Sequence, residues 1–194
     1  MARLKTVLAV LAGAVGCLAA SADRVLAADE GVKTPFEVTA IVELTGGRIS
    51  GTRQIGVTLR IDRLTPRDEA WRLADLAGVS GQDALRVALQ GRSDGLLRLG
   101  ALDFPLNLAV ARRSEKGQSF VLVSSRALRV SEVNQGSESV GYPFGVVVFT
   151  LDDLGNGEGL VYPAARISID TAGGVVIENF QEEPGVLKEV RLKQ

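Results

Sequence analysis

Glu37-Val38-Thr39-Ala40-Ile41-Val42-Glu43-Leu44, closed by Gly46-Gly47, is the stretch on which the fold turns. Val38, Ala40, Val42 and Leu44 alternate with Glu37, Thr39 and Glu43, the period of two that a strand shows when one face is buried and the other wet. The same period recurs downstream. Ile55, Val57, Leu59 and Ile61 alternate with Gln54, Thr58, Arg60 and Asp62, and Phe104, Leu106, Leu108 and Val110 oppose a face carrying Asn107 and Ala109. Shorter runs lie at 96–99, 119–124, 146–151, 160–170, 175–180 and 186–192. Hairpin-length turns join them, among them Ser114-Glu115-Lys116-Gly117, Thr171-Ala172-Gly173-Gly174 and Glu182-Glu183-Pro184-Gly185. The expected fold is mainly β: an antiparallel barrel or strongly curved sheet of about eight strands, with a β-sandwich as the alternative packing.

One segment breaks the rhythm. Thr65-Pro66-Arg67-Asp68 reads as an N-cap followed by proline at the first helical position, and Gly78 as a stop. Ser80-Gly81-Gln82-Asp83 repeats the capping pattern, and Leu85, Val87, Ala88 and Leu89 lead to Gly91. A helical hairpin over about 65–91 is therefore expected between the second and third strands. Trp71, Leu73, Leu76, Leu85 and Leu89 would close a pocket or one barrel end, or simply pack the helices onto the sheet.

At the N-terminus, Arg3 and Lys5 precede an apolar run from Thr6 to Ala20 that is short for a bilayer span. This reads as a secretory signal over residues 1–28, leaving a single β-rich domain at 29–194. Asp23 and Arg24 interrupt the apolar run and argue against a retained anchor. Ala14-Val15-Gly16-Cys17 has some lipobox character, which makes lipid attachment at Cys17 the alternative to plain secretion. The mature chain then lies in the periplasm or outside the cell.

The chain contains no histidine, and Cys17 is its one cysteine. The mature form thus has neither imidazole nor thiolate, which excludes Ser-His-Asp and Cys-His catalysis, ordinary zinc or copper sites, and disulfides. No cofactor is expected. Losing Arg3, Lys5, Arg24 and Asp23 with the signal leaves a net charge of about −3, which gives no drive toward nucleic acid. Nine aromatic residues are few for a sugar-stacking or single-strand-binding face.

Two polar candidates remain. A three-residue loop at 171–173 would set Ile167 against Ile177, Ile169 against Val175 and Arg166 against Glu178, making Glu178 half of an outer-face ion pair. Carrying that apolar face into the last strand places Val190 beside Ile177, Leu192 beside Val175 and Arg191 diagonal to Glu178. Asp152-Asp153-Leu154-Gly155-Asn156-Gly157-Glu158-Gly159 offers oxygen ligands for calcium, but at spacings unlike an EF-hand loop. The same residues suit a tight turn. No catalytic, cofactor-binding or metal-binding residue is assigned.

Tyr142-Pro143-Phe144, the 151–159 run, Val176-Ile177-Glu178-Asn179-Phe180, Pro184-Gly185-Val186-Leu187 and Gly81-Gln82-Asp83-Ala84-Leu85 together resemble a family of exported bacterial proteins with no assigned activity. The resemblance implies export and a shared domain, with no catalytic residues to carry over. Three functions follow as expectations: a non-enzymatic barrel holding an apolar small molecule or lipid, an envelope interaction or structural module, and an enzyme that uses carboxylates alone. No nucleic acid and no membrane span in the mature form are expected.

Overall fold

The computed structural model describes residues 33–45, 52–114, 117–128, 141–169, 175–180 and 183–193. The secretory signal, Cys17 and the 171–174 turn lie outside the described residues. The strands are β1 (Phe36–Thr45), β2 (Thr52–Ile61), β3 (Gly95–Leu99), β4 (Leu102–Leu106), β5 (Leu108–Ser114), β6 (Gly117–Ser124), β7 (Phe144–Leu151), β8 (Asn156–Ile169), β9 (Val175–Asn179) and β10 (Gly185–Lys193). The helix α1 (Arg67–Leu89) sits between β2 and β3, as expected.

Every pairing is antiparallel, and the order across the sheet is β4-β3-β2-β1-β10-β8-β7-β6-β5, with β9 also on β8. The two ends of that order, β4 and β5, are consecutive in the chain and separated only by Asn107. Counted as one bent strand, they make an up-and-down meander of eight staves nearly closed into a barrel, its first and last strands side by side.

The bend at Asn107 reverses which face looks inward. Phe104 and Leu106 belong to the inner core, as does Ala109, whereas Leu108 packs outside. The expected single face of Phe104, Leu106, Leu108 and Val110 is thus corrected: β5 is apolar on both sides because α1 covers its outer one. For the same reason β7 does not alternate. Val147, Phe149 and Leu151 point into the barrel, while Val146 and Val148 lie beneath α1 with Leu73, Ala77, Leu85 and Leu89.

α1 breaks at Gly81, whose φ of 84° lies in the left-handed region that glycine enters without strain. Glu69 near its start and Arg92 just past its end form an ion pair. A straight helix of 23 residues would hold these ends about 35 Å apart, so the chain doubles back and the expected hairpin forms. Its reversal is at Gly81 instead of Gly78. Pro66, not Thr65, occupies the N-cap and its ring has no atom to make a cap bond, while the Thr65 hydroxyl is engaged elsewhere. The helices pack onto the outer sheet face, and Trp71, 44% exposed, closes nothing.

The inner core is built from aromatic and branched side chains. Phe120 stacks on Phe149 at 4.8 Å between ring centres and meets Phe36 at 5.4 Å. β8 makes room for them with glycine. A Cβ on Gly157 would overlap the Thr150 carbonyl oxygen, and one on Gly159 the Val148 carbonyl oxygen and the Phe149 Cβ. Gly159 thus lies between Phe149 on β7 and Leu187 on β10, small opposite large.

The last strand corrects the sequence expectation. β9 pairs Ile167 with Ile177, Arg166 with Glu178 and Ile169 with Val175, as expected. β10 does not turn back onto β9, however. It runs in the same direction along the same edge of β8, lower down, pairing Val161 with Gly185 and Gly157 with Val190, and pairs with β1 on its other side. Val190 is therefore not beside Ile177, Leu192 not beside Val175, and Glu183-Pro184 belong to an excursion between collinear strands. Within β10 both ladders shift register around Lys188-Glu189. The bulge lets Leu187 and Val190, three apart, both face inward while Lys188 and Glu189 stay outside. Glu189 adopts a φ of 51° there.

Candidate functional site

Among the described residues, the densest polar constellation is at the base of the barrel, where β2 ends, α1 begins, β3 begins and β4 bends into β5. Its centre is Asp94, a fully buried carboxylate. One oxygen, Oδ1, accepts from Arg63 Nε at 2.7 Å; the other, Oδ2, accepts from the Thr65 hydroxyl at 2.6 Å and Arg92 Nη2 at 3.1 Å. The backbone holds Asp94 equally firmly. Its amide donates to Leu106 O, and its carbonyl accepts from the amides of Asp62 and Arg63.

Around it each polar group has a defined role. Arg92 donates through Nε to Asn107 O at 2.8 Å and through Nη1 to Glu69, fastening the first turn of α1 to the barrel. The Glu69 carboxylate first, and Asp94 after it, hold the Arg92 guanidinium above its already high ordinary pKa, against the opposing effect of burial. The side chain of Asn107 donates to Arg92 O at 2.7 Å and accepts from Ser125 N at 2.8 Å. Thr65 accepts from Ala109 N through its hydroxyl and donates its own amide to Ala109 O. With Asn107 N donating to Val123 O, these bonds carry the barrel across its bend.

The charges are two arginines against two carboxylates, so the cluster is neutral. Both Asp94 oxygens are engaged, and Arg92 bridges its carboxylate to Glu69. Asp94, buried with both oxygens engaged, does not face an open site as the base of an acid/base pair would. The chemistry of this arrangement is anchoring.

The other candidates resolve differently. Glu178 lies opposite Arg166, but its Oε1 accepts from the Tyr142 hydroxyl at 2.7 Å, and no ion pair joins it to Arg166 among the described residues. The Tyr142 and Phe180 rings meet beside it at 5.1 Å. Arg191, expected diagonal to Glu178, instead faces Thr39 and Asn156. Asp152 turns its Oδ1 onto the amides of Leu154 and Asn156, at 2.9 and 2.8 Å, and its own amide donates to Asn156 O. That carboxylate stabilises its own turn. Among the described residues, no three His, Cys, Asp or Glu side chains gather as a metal site, and no helix is long and apolar enough to cross a membrane.

Among the described residues, three buried polar atoms have no partner: Arg112 Nη1, Ser124 Oγ and Tyr162 Oη. Tyr162 is fully buried under α1, and desolvation raises the pKa of its phenol. Sequence reasoning passed over Asp94, Arg92, Asn107 and the real role of Thr65. Their one local signal is an aspartate between Ser93 and Gly95, two residues after Arg92, at the start of a clean strand. A Cβ at Gly95 would overlap the Arg60 carbonyl oxygen, which is why Asp94 is followed by glycine. No family model matches this chain, and neither a curated protein nor a solved structure matches it.

Proposed function

We propose that this chain is an exported, non-enzymatic β-barrel that acts through its outer surface as an interaction or structural module of the cell envelope. The observation that carries the proposal is the cluster of buried apolar side chains that face inward. A barrel of eight strands has room for its own side chains or for one small ligand, and here Phe120 stacks on Phe149 while Phe36 packs tilted against Phe120. Those rings take up space that an apolar molecule or lipid would otherwise use. The saturated Asp94 carboxylate supports the non-enzymatic half of the reading. Export rests on the basic n-region and apolar run before residue 28 and on the resemblance to an exported family. Native mass spectrometry of the chain purified from its own envelope tests the proposal. A protein partner without a stoichiometric small molecule is expected; one apolar molecule retained per chain would overturn it.

A further inference from the structure

β8 outlasts its neighbour β7, and the part that projects has an edge to protect. In an extended strand the N–H and C=O of one residue point to the same edge and those of the next to the opposite edge. Toward β7, the Pro163 carbonyl accepts from Leu128 N, and Ala165 pairs with Phe144 at the start of β7. Ile167 comes next, and among the described residues no strand is left to meet it on that side. The side chain of Gln82 fills that place. Its Nε2 donates to Ile167 O at 2.5 Å and its Oε1 accepts from Ile167 N at 2.8 Å. One side-chain amide therefore makes both bonds that a facing residue makes in the hydrogen-bonded pair of an antiparallel ladder. Gln82 is held there by position: it is the first residue after the reversal at Gly81, at the apex of the helical hairpin.

We infer that Gln82 guards the projecting edge of β8 against pairing with the same edge of a second copy of this chain. The edge is self-complementary. An antiparallel register centred on Ile167 sets that residue against its own copy and Arg166 against Ser168, so no like charges are opposed. Unpaired edges of this kind are where sheets join, and natural proteins cover them. Here the cover is a side chain on a separate element, so moving only the hairpin apex would open the edge.

Sedimentation velocity on the full chain over a range of concentrations tests this. Gln82→Ala should associate at least tenfold more tightly than the wild type. Adding Ser168→Lys, which sets a second positive charge against Arg166 of the other copy, should reverse the gain. Gln82→Glu keeps the acceptor for Ile167 N, loses the donor to Ile167 O, and should associate to an intermediate extent; it serves as the test if Gln82→Ala does not fold. Association equal to wild type in the folded variant, or a dimer indifferent to Ser168→Lys, overturns the inference.

Discussion

Replacement of Asp94 by alanine removes the acceptor of three donors at once, and the structure says which of them suffer. Arg63 has a side chain 56% exposed, so its guanidinium returns to water and loses at most about 1 kcal/mol. Thr65 is 7% exposed and the Arg92 side chain 14%, and neither can be rehydrated without opening the base of the barrel. A buried hydroxyl left without its bond costs about 1–3 kcal/mol, and a buried charge deprived of one partner about 3–5 kcal/mol. Because Glu69 and Asn107 O still hold Arg92, the low end applies to the charge, and the whole effect should be about 4–7 kcal/mol. For a domain of this size that lowers Tm by about 8–28 °C. Asp94→Asn retains an acceptor and loses the charge, so it should fall about halfway. The assay is urea unfolding followed by far-UV circular dichroism and Trp71 fluorescence, with the two probes required to coincide. An Asp94→Ala variant within about 1 kcal/mol of the wild type would refute the reasoning, since it would mean that water reaches the cluster and the anchoring is nominal.

The Tyr162 hydroxyl is buried without a partner among the described residues, so Tyr162→Phe should raise stability by about 1–2 kcal/mol in the same unfolding assay; a loss of stability would reveal a bond that the geometry does not contain. Burial also raises the folded pKa of that phenol, so the unfolded chain gives up its proton first: stability from this group is complete below pH about 10 and declines as pH rises further. Absorbance at 295 nm should accordingly show one of the two tyrosines ionising only as the protein unfolds. Gly159→Ala drives a Cβ into Val148 O and Phe149, and a loss of about 3 kcal/mol is expected by thermal melting; a neutral result would show that β7 and β8 can separate freely. At the β10 bulge, Glu189→Gly should be neutral or stabilising by up to about 1 kcal/mol and Glu189→Val destabilising by more than that, and the opposite ranking would contradict the left-handed geometry.

What could be read in advance was local. Alternation located β1 and β2, and the β8–β9 register followed from one short loop and the need to keep Ile167 and Ile177 on the same face. The next strand failed for a physical reason. Leu187 and Val190 are both core residues at a spacing of three, which no flat strand allows, and that spacing could have announced the bulge; the choice of β1 and β8 as partners is set by contacts far away in sequence. The face of β5 was misjudged because only the folded chain shows α1 covering its outer side. Asp94 escaped notice since Arg63 and Thr65 are about thirty residues from it, and no period links them. The rings of Phe36, Phe120 and Phe149 come from β1, β6 and β7, so alternation along any one strand does not show that they meet.

The seam between β1 and β10 also sets an order of events. Lys193 bonds Glu37 across 156 residues of chain, so the barrel has no route to closure until its final stave has arrived. Until then β1 and the lower part of β8 each present a naked edge, and joining them is the entropically slowest step of the meander. Truncation ahead of Gly185 would therefore do more than shorten the protein: it would leave two sticky strands with no partner, and such a chain is one for proteases or aggregates to claim.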